Sequence, residues 1–395
     1  MKAVVFHGQG DIRLDEVPQP TIHDSRDAVV RLTASAICGT DLHFIRGSIA
    51  GTEPGTILGH EGVGVVEEVG PDVRNLQRGD RVVIPSTIAC GTCSYCRASY
   101  YSKCDRANPR GPKNTAFFGG PKEAGGFDGL QAEYARIPYA NVGPVKLPDS
   151  VSDDDAIVLS DIFPTAYFAA DMASIKPGHV VVVLGCGPVG QLAIASAKLM
   201  NAGRIIAIDC VPNRLERART QGAEVVNFSS EDPVETLEEL TDGIGADSVI
   251  DAVGIDAYGP SGAPEGEFKP GDHPAQALEW AVEIVAKAGH VSLVGVYPSS
   301  QERFPIGKAF GKNITIRMGD CPHRRYLPQL VRMVADGEIT PSALVSQQTP
   351  IASAIEAYSS FDRHADGWLK VQLLPEKELE SPALRASSGN QLINA

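Results

Sequence analysis

Residues 180–190 read VVVVLGCGPVG. An apolar, β-branched run breaks into glycines at 185, 187 and 190, giving G-x-G-x-x-G after a predicted strand and before a predicted helix. Glycine at the first position permits a tight turn. At the second it lets backbone approach a pyrophosphate seated on the helix N-terminus, and at the third it packs helix on strand. Gly185, Gly187, Pro188, Val189 and Gly190 are therefore expected to cradle a dinucleotide. Glycine-rich turns are common, so the motif alone is weak evidence. It gains weight from a second strand at 204–208 ending in Asp209, a carboxylate placed to hydrogen-bond the adenosine ribose of NAD and repel the extra phosphate of NADP. The plainer role for Asp209 is a helix N-cap or a solvated strand end.

Outward from this turn, strand candidates at 224–227, 247–251, 290–296 and 314–318 alternate with helical stretches at 189–200, 213–221, 233–241 and 274–288. Alternating β and α with buried-strand character predicts a doubly wound parallel sheet. The Gly/Pro/Ser-rich piece at 255–273 exceeds an ordinary connection and reads as a surface loop insertion. Residues 1 to about 150 differ in texture. Short runs at 3–6, 28–34, 62–69, 81–84 and 131–137 are broken by Gly, Pro and Asp, predicting an irregular antiparallel or barrel-like β domain. From about 319 the chain is expected to return to that first domain with a helix near 326–336 and a strand at 369–374. Residues 376–395 read as a partly ordered tail.

The chain has 395 residues, 43% hydrophobic and 21% charged, with 40 Gly and 28 Pro, a turn-rich globular composition of about two domains. A net charge of −14 argues against nucleic-acid or anionic-membrane partners, which require a basic surface. No apolar run approaches a transmembrane span and the N-terminus shows no signal-peptide pattern, so a cytoplasmic protein is expected.

Four of the eight cysteines, Cys90, Cys93, Cys96 and Cys104, crowd one loop as C-x2-C-x2-C-x7-C. Four thiolates close a tetrahedral shell and leave no open position, which suits a structural zinc. An iron–sulfur cluster is the other use of four cysteines. Residues 36–64, AICGTDLHFIRGSIAGTEPGTILGHEGVG, carry Cys38 and His60, a thiolate and an imidazole suited to zinc. With one further protein ligand, such a site keeps a position open for chemistry. Alone, Cys38 is more often a small buried hydrophobe and His60 a satisfied core histidine.

Together these features resemble the zinc-dependent medium-chain alcohol dehydrogenase family across nearly the whole chain. The motifs occur in the family's order: C-G-T-D-x-H at 38–43, G-H-E at 59–61, the four-cysteine loop at 90–104 and the glycine fingerprint at 185–190. The resemblance implies an α/β protein with a GroES-like irregular β-barrel catalytic domain at 1–160, completed by 320–395. A Rossmann domain with a doubly wound parallel sheet, binding NAD, is implied at 161–319. It also implies two zinc ions per chain. The catalytic one would be held by Cys38, His60 and a third ligand where most members carry cysteine. Here LSDIFPTAY offers Asp161, a departure similar to the formaldehyde dehydrogenase and dismutase branch; a helix N-cap is the plainer role for Asp161.

By the same resemblance, Glu61 is a conditional zinc ligand and Asp41 orients His60. Thr40 accepts the substrate proton and His43 relays it. Arg214 and Lys370 contact the cofactor's adenosine and pyrophosphate, and Val296 also lies at the cofactor. Ser86, Thr87 and Phe117–Phe118 are expected near the substrate. The implied activity is hydride transfer between a small alcohol, or a hydrated aldehyde such as formaldehyde, and NAD, by a homotetramer or homodimer. Two alternatives are an aldehyde dismutase with tightly held NAD and a non-catalytic member that keeps zinc and NAD. The second is disfavoured because Cys38, His60, Asp161, Thr40 and His43 are all present.

Overall fold

A computed structural model describes residues 1–108, 115–259, 273–297, 301–376 and 392–393. Most of the insertion expected at 255–273, and of the tail at 376–395, lies outside the described residues. The chain divides into two compact units, Met1–Pro164 with Cys321–Ala395, and Thr165–Asp320.

The first unit is built on a seven-stranded sheet. Its spatial order is Gln347–Pro350, Val371–Leu374, Ala28–Ile37, Gly62–Val69, Arg81–Ile84 and Val145–Lys146, with Tyr134–Ile137 also pairing to Ala28–Ile37. All pairs are antiparallel except the parallel Gln347–Pro350 with Val371–Leu374. Lys2–Gly8 and Asp11–Glu16 form a separate hairpin. Register slips along Ala28–Ile37, between Val29 and Val30 and again between Leu32 and Ala34, let this ten-residue strand curl as an irregular barrel requires. Helix Gly39–Arg46 stops at Gly47, whose φ of 76° suits a left-handed cap. Helix Asp153–Ser160 starts at Ser152, whose side chain accepts the Asp155 N–H, with three aspartates in its first turn.

The second unit is a six-stranded, all-parallel sheet in the order Glu224–Asn227, Arg204–Asp209, Val180–Leu184, Ala246–Asp251, Val285–Leu293 and Thr315–Met318. Numbered along the chain this is 3-2-1-4-5-6, the doubly wound dinucleotide-binding order, which reverses between Val180–Leu184 and Ala246–Asp251. Val181, Val182, Val183, Val249 and Ile250 are wholly buried, which is why these strands read as continuous apolar runs. The expected α/β architecture, an irregular β domain and a Rossmann sheet, is the one observed.

Several element boundaries differ from the sequence reading: the helix expected at 274–288 is Gln276–Ile284, because the chain turns extended at Val285 and enters a strand there. The helix expected at 326–336 is His323–Ala335. Its apolar spacing begins only at Tyr326, so its polar first turn, His323-Arg324-Arg325, left no periodic signal. The strand expected at 290–296 is Val285–Leu293. Ala288 adopts a left-handed φ of 60°, so the ladder is interrupted and resumes at His290. No helix among the described residues is long and apolar enough to cross a membrane.

Candidate active site

Both candidate metal clusters lie in the first unit. In the cysteine loop the ligand atoms of Cys90, Cys93, Cys96 and Cys104 all fall within 4.8 Å of one another. Backbone N–H groups point at the sulfurs: Thr92 and Cys93 donate to Cys90 Sγ at 3.4 Å, and Cys90 donates to Cys104 Sγ at 3.2 Å. Burial would raise the Cys90 pKa, but the Thr92 hydroxyl and these N–H groups bring it down to about 6. Burial pushes the Cys96 and Cys104 thiols the other way, up, so a metal ion that holds all four as thiolates would relieve that cost.

The second cluster assembles Cys38, His60, Glu61 and Asp161, again within 4.8 Å. Cys38 precedes helix Gly39–Arg46 and His60 precedes strand Gly62–Val69. Asp161 occupies the break between helices Asp153–Ser160 and Ile162–Met172. Ser160 pins that break, donating to the Ile84 carbonyl and accepting the Gly62 N–H at 2.9 Å. Asp161 Oδ2 lies 3.7 Å from Cys38 Sγ and 3.5 Å from His60 Nε2. His60 Nδ1 faces Asp41 Oδ1 at 3.1 Å, leaving Nε2 as the ring nitrogen turned toward the cluster.

Asp41 also accepts the Cys38 N–H at 3.0 Å and Gln131 Nε2 at 3.2 Å, and Tyr358 Oη donates to Gln131 Oε1 at 2.8 Å. This buried chain fixes the carboxylate that holds His60. Burial lowers the His60 pKa, yet Asp41 and Cys38 hold it well above the ordinary histidine value. Burial likewise would raise Asp161, but bonds from His323 and His60 keep it well below the ordinary carboxylate range. Lys370 neutralises Glu61, and the remaining thiol, imidazole and Asp161 carboxylate converge out of water as the donor types a divalent cation takes. The donor set fits zinc.

Lys370, expected at a cofactor pyrophosphate, is paired within the first unit. Its Nζ sits 2.5 Å from Glu61 Oε2 and donates to the Ile37 carbonyl at 3.1 Å. A lysine this buried needs a countercharge, and Glu61 supplies it. Thr40 Oγ1 lies 3.9 Å from Cys38 Sγ, and His43 is buried one helical turn further on. Phe117 packs edge-on to His60 at 6.1 Å between centroids and stacks with Phe44 at 5.6 Å, giving the cluster an apolar neighbour.

His323 was not anticipated. Its Nε2 lies 2.8 Å from Asp161 Oδ1, and its Nδ1 3.2 Å from Thr87 Oγ1. Ser86 Oγ donates to the same Asp161 oxygen at 2.9 Å. No spacing motif links a histidine at 323 to an aspartate at 161, and the polar start of helix His323–Ala335 carries no periodic signal.

In the second unit, the glycine turn has the expected close approaches. A Cβ on Gly190 would stand 1.8 Å from the Gly185 carbonyl oxygen, while at Gly187 the nearest neighbour is Arg214 Nη1 at 3.8 Å. Pro188 and Val189 open helix Pro188–Leu199. Asp209 ends its strand beside this turn, its carboxylate accepting N–H groups of Cys186 at 2.6 Å, Cys210 at 2.7 Å and Val211 at 2.8 Å. Open backbone at Gly187, an adjacent helix start and a neighbouring carboxylate fit a dinucleotide. Asp251, also unanticipated, ties two loops at the end of the sheet. It accepts from Val253 N, Gly254 N and Tyr297 Oη, the last at 2.6 Å, and Val296 packs against Gly254 there.

Known proteins share this arrangement. The alcohol dehydrogenase GroES-like domain family matches residues 24–149, and the zinc-binding dehydrogenase family matches residues 188–261. The uncharacterized zinc-type alcohol dehydrogenase-like protein AdhB of Bacillus subtilis is 40% identical over 384 residues, 95% of this chain and 100% of that protein. Alcohol dehydrogenase TADH from Thermus sp. ATN1 superposes with a TM-score of 0.83 at 38% identity, over 95% of this chain and 100% of that one. The glutathione-independent formaldehyde dehydrogenase of Pseudomonas aeruginosa stands further off, at 31% identity over 91% of this chain and 94% of its own length. Identity at this level over nearly full length, together with the two metal clusters and the parallel sheet, leads to one conclusion: the chain belongs to the zinc-type alcohol dehydrogenases of the medium-chain family.

Proposed function

We propose that the protein is an NAD-dependent oxidoreductase that interconverts a small alcohol, or a hydrated aldehyde, with its oxidised product. The observation that carries this reading is the buried cluster of Cys38, His60, Glu61 and Asp161, with ligand atoms within 4.8 Å of one another. In this reading Cys38, His60 and Asp161 hold a catalytic zinc, and Cys90, Cys93, Cys96 and Cys104 a structural one. When bound, the catalytic zinc supplies Lewis acidity that makes an alcohol oxygen easier to deprotonate.

The chain's own residues do the rest. Thr40 Oγ1, beside Cys38, accepts the substrate's proton and hands it toward His43 on the same helix. Asp41 keeps His60 in the tautomer whose Nε2 faces the cluster. Phe117 and Phe44 present an apolar wall that keeps water from the reacting carbon. Gly185, Gly187, Pro188, Val189 and Gly190 receive the cofactor pyrophosphate, with Asp209 and Arg214 toward the adenosine and Val296 toward the nicotinamide. Exposed Phe310 and Met318, the latter on the sheet's edge strand Thr315–Met318, support a homo-oligomer.

The test is NADH absorbance with purified protein, short primary alcohols, an aromatic alcohol and formaldehyde, with and without added NAD. The expected result is NADH formed from alcohols only when NAD is added. Formaldehyde converted to equal methanol and formate without added NAD would replace this reading with dismutation. No turnover with any substrate would replace it with a non-catalytic binding role.

A further inference from the structure

We propose that His323 is a positioning residue that holds Asp161 as a one-oxygen metal ligand and thereby keeps a coordination position open. The inference rests on the reading of Cys38, His60 and Asp161 as a zinc site. A cysteine offers a metal one sulfur, whereas a carboxylate offers two oxygens and can chelate through both. A chelating carboxylate would occupy the position that a substrate needs.

The two oxygens of Asp161 are divided between different partners. Oδ2 faces Cys38 Sγ at 3.7 Å and His60 Nε2 at 3.5 Å. Oδ1 faces away, accepting from His323 Nε2 at 2.8 Å and Ser86 Oγ at 2.9 Å, two donors that take up both of its lone pairs. An ionised carboxylate only accepts, so this 2.8 Å contact requires the proton on His323 Nε2. Thr87 Oγ1, 3.2 Å from Nδ1, holds the ring from the far side. The imidazole is itself fixed, because His323 is 3% exposed and opens helix His323–Ala335. Ser86 alone is a weaker clamp, since a hydroxyl turns freely about its C–O bond.

The experiment measures zinc affinity by competition with a chelator, taking as the relevant ion the one lost in C38S. In H323A this affinity should fall by about 10–100-fold, the usual cost of removing a group that orients a ligand. H323Q, whose amide can still donate, should recover most of it. Cobalt(II) at this site in H323A should absorb more weakly in the visible, as the coordination number rises. In a D161C background, where the ligand has no second atom to restrain, H323A should leave the affinity unchanged. If H323A does not fold, H323M, close in volume and without a donor, carries the same comparisons.

Unchanged affinity and cobalt spectrum in H323A would overturn the proposal while leaving the zinc site intact. Equal losses with aspartate or cysteine at 161 would also overturn it, assigning His323 to packing alone. Wild-type protein that binds one zinc, unaffected by C38S, would instead remove the zinc-site reading and the proposal with it.

Discussion

The Lys370 ammonium lies 2.5 Å from Glu61 Oε2, and both side chains are all but withdrawn from solvent, at 1% and 0% exposure. The pair joins the residues just before strands Gly62–Val69 and Val371–Leu374, so it also ties the C-terminal segment to the metal-binding side of the first unit. Burial pushes the Glu61 carboxyl up, and the adjacent ammonium partly offsets that. Removing one partner leaves the other charge buried alone. K370M should therefore destabilise the fold by about 3–5 kcal/mol. The double variant E61L/K370M should regain much of that loss, because a buried pair is often replaceable by apolar side chains. Urea unfolding of the two variants checks both statements.

Gly190 has no room for a side chain. A Cβ there would sit 1.8 Å from the Gly185 carbonyl oxygen, and the obstacle is backbone that cannot rotate away. G190A should lower stability by about 3 kcal/mol or more. NADH should raise the melting temperature of the wild type and leave that of G190A unchanged.

In the proposed function, Asp209 sets the preference for NAD over NADP. Its carboxylate already organises the turn through the N–H groups of Cys186, Cys210 and Val211. D209A removes both that support and the negative charge that disfavours a 2′-phosphate. The KM for NAD should rise on the order of 10-fold or more, the worth of a hydrogen bond to a charged group. The KM for NADP should change less, so steady-state kinetics with both cofactors should show a narrowed preference.

The four-cysteine loop should behave as a metal-dependent fold of its own. Cys96 is 2% exposed and sits inside the short helix Ser94–Arg97, whose preceding Cys93 sulfur accepts the Cys96 N–H at 3.5 Å. C96S should lose one zinc per chain and become sensitive to protease cleavage within residues 90–108. Metal analysis with limited proteolysis tests this.

What was legible in the sequence was local and periodic. Strands Gly62–Val69, Arg81–Ile84, Val180–Leu184 and Glu224–Asn227 stand where their apolar patterns put them, because burial on both faces, or alternate burial, writes itself into residue order. Motifs with fixed spacing, such as the cysteine loop and the glycine turn, were equally readable. Contacts made by single polar residues far apart in the chain were not. His323 meets Asp161 across 162 positions and Lys370 meets Glu61 across 309. Asp251 looked like an ordinary strand end, although its carboxylate binds Tyr297 and two backbone N–H groups. Such pairings depend on how the first unit recruits its C-terminal segment and how parallel strands align, and no local period encodes either.

The central claim is that Asp161 completes a catalytic zinc site with Cys38 and His60. The most direct measurement is zinc per chain, taken alongside NADH formation from an alcohol, in wild type and in D161A. The account predicts two zinc ions and turnover in the wild type, and in D161A one zinc ion with turnover lost. D161A retaining both ions, or turning over at the wild-type rate, would contradict it.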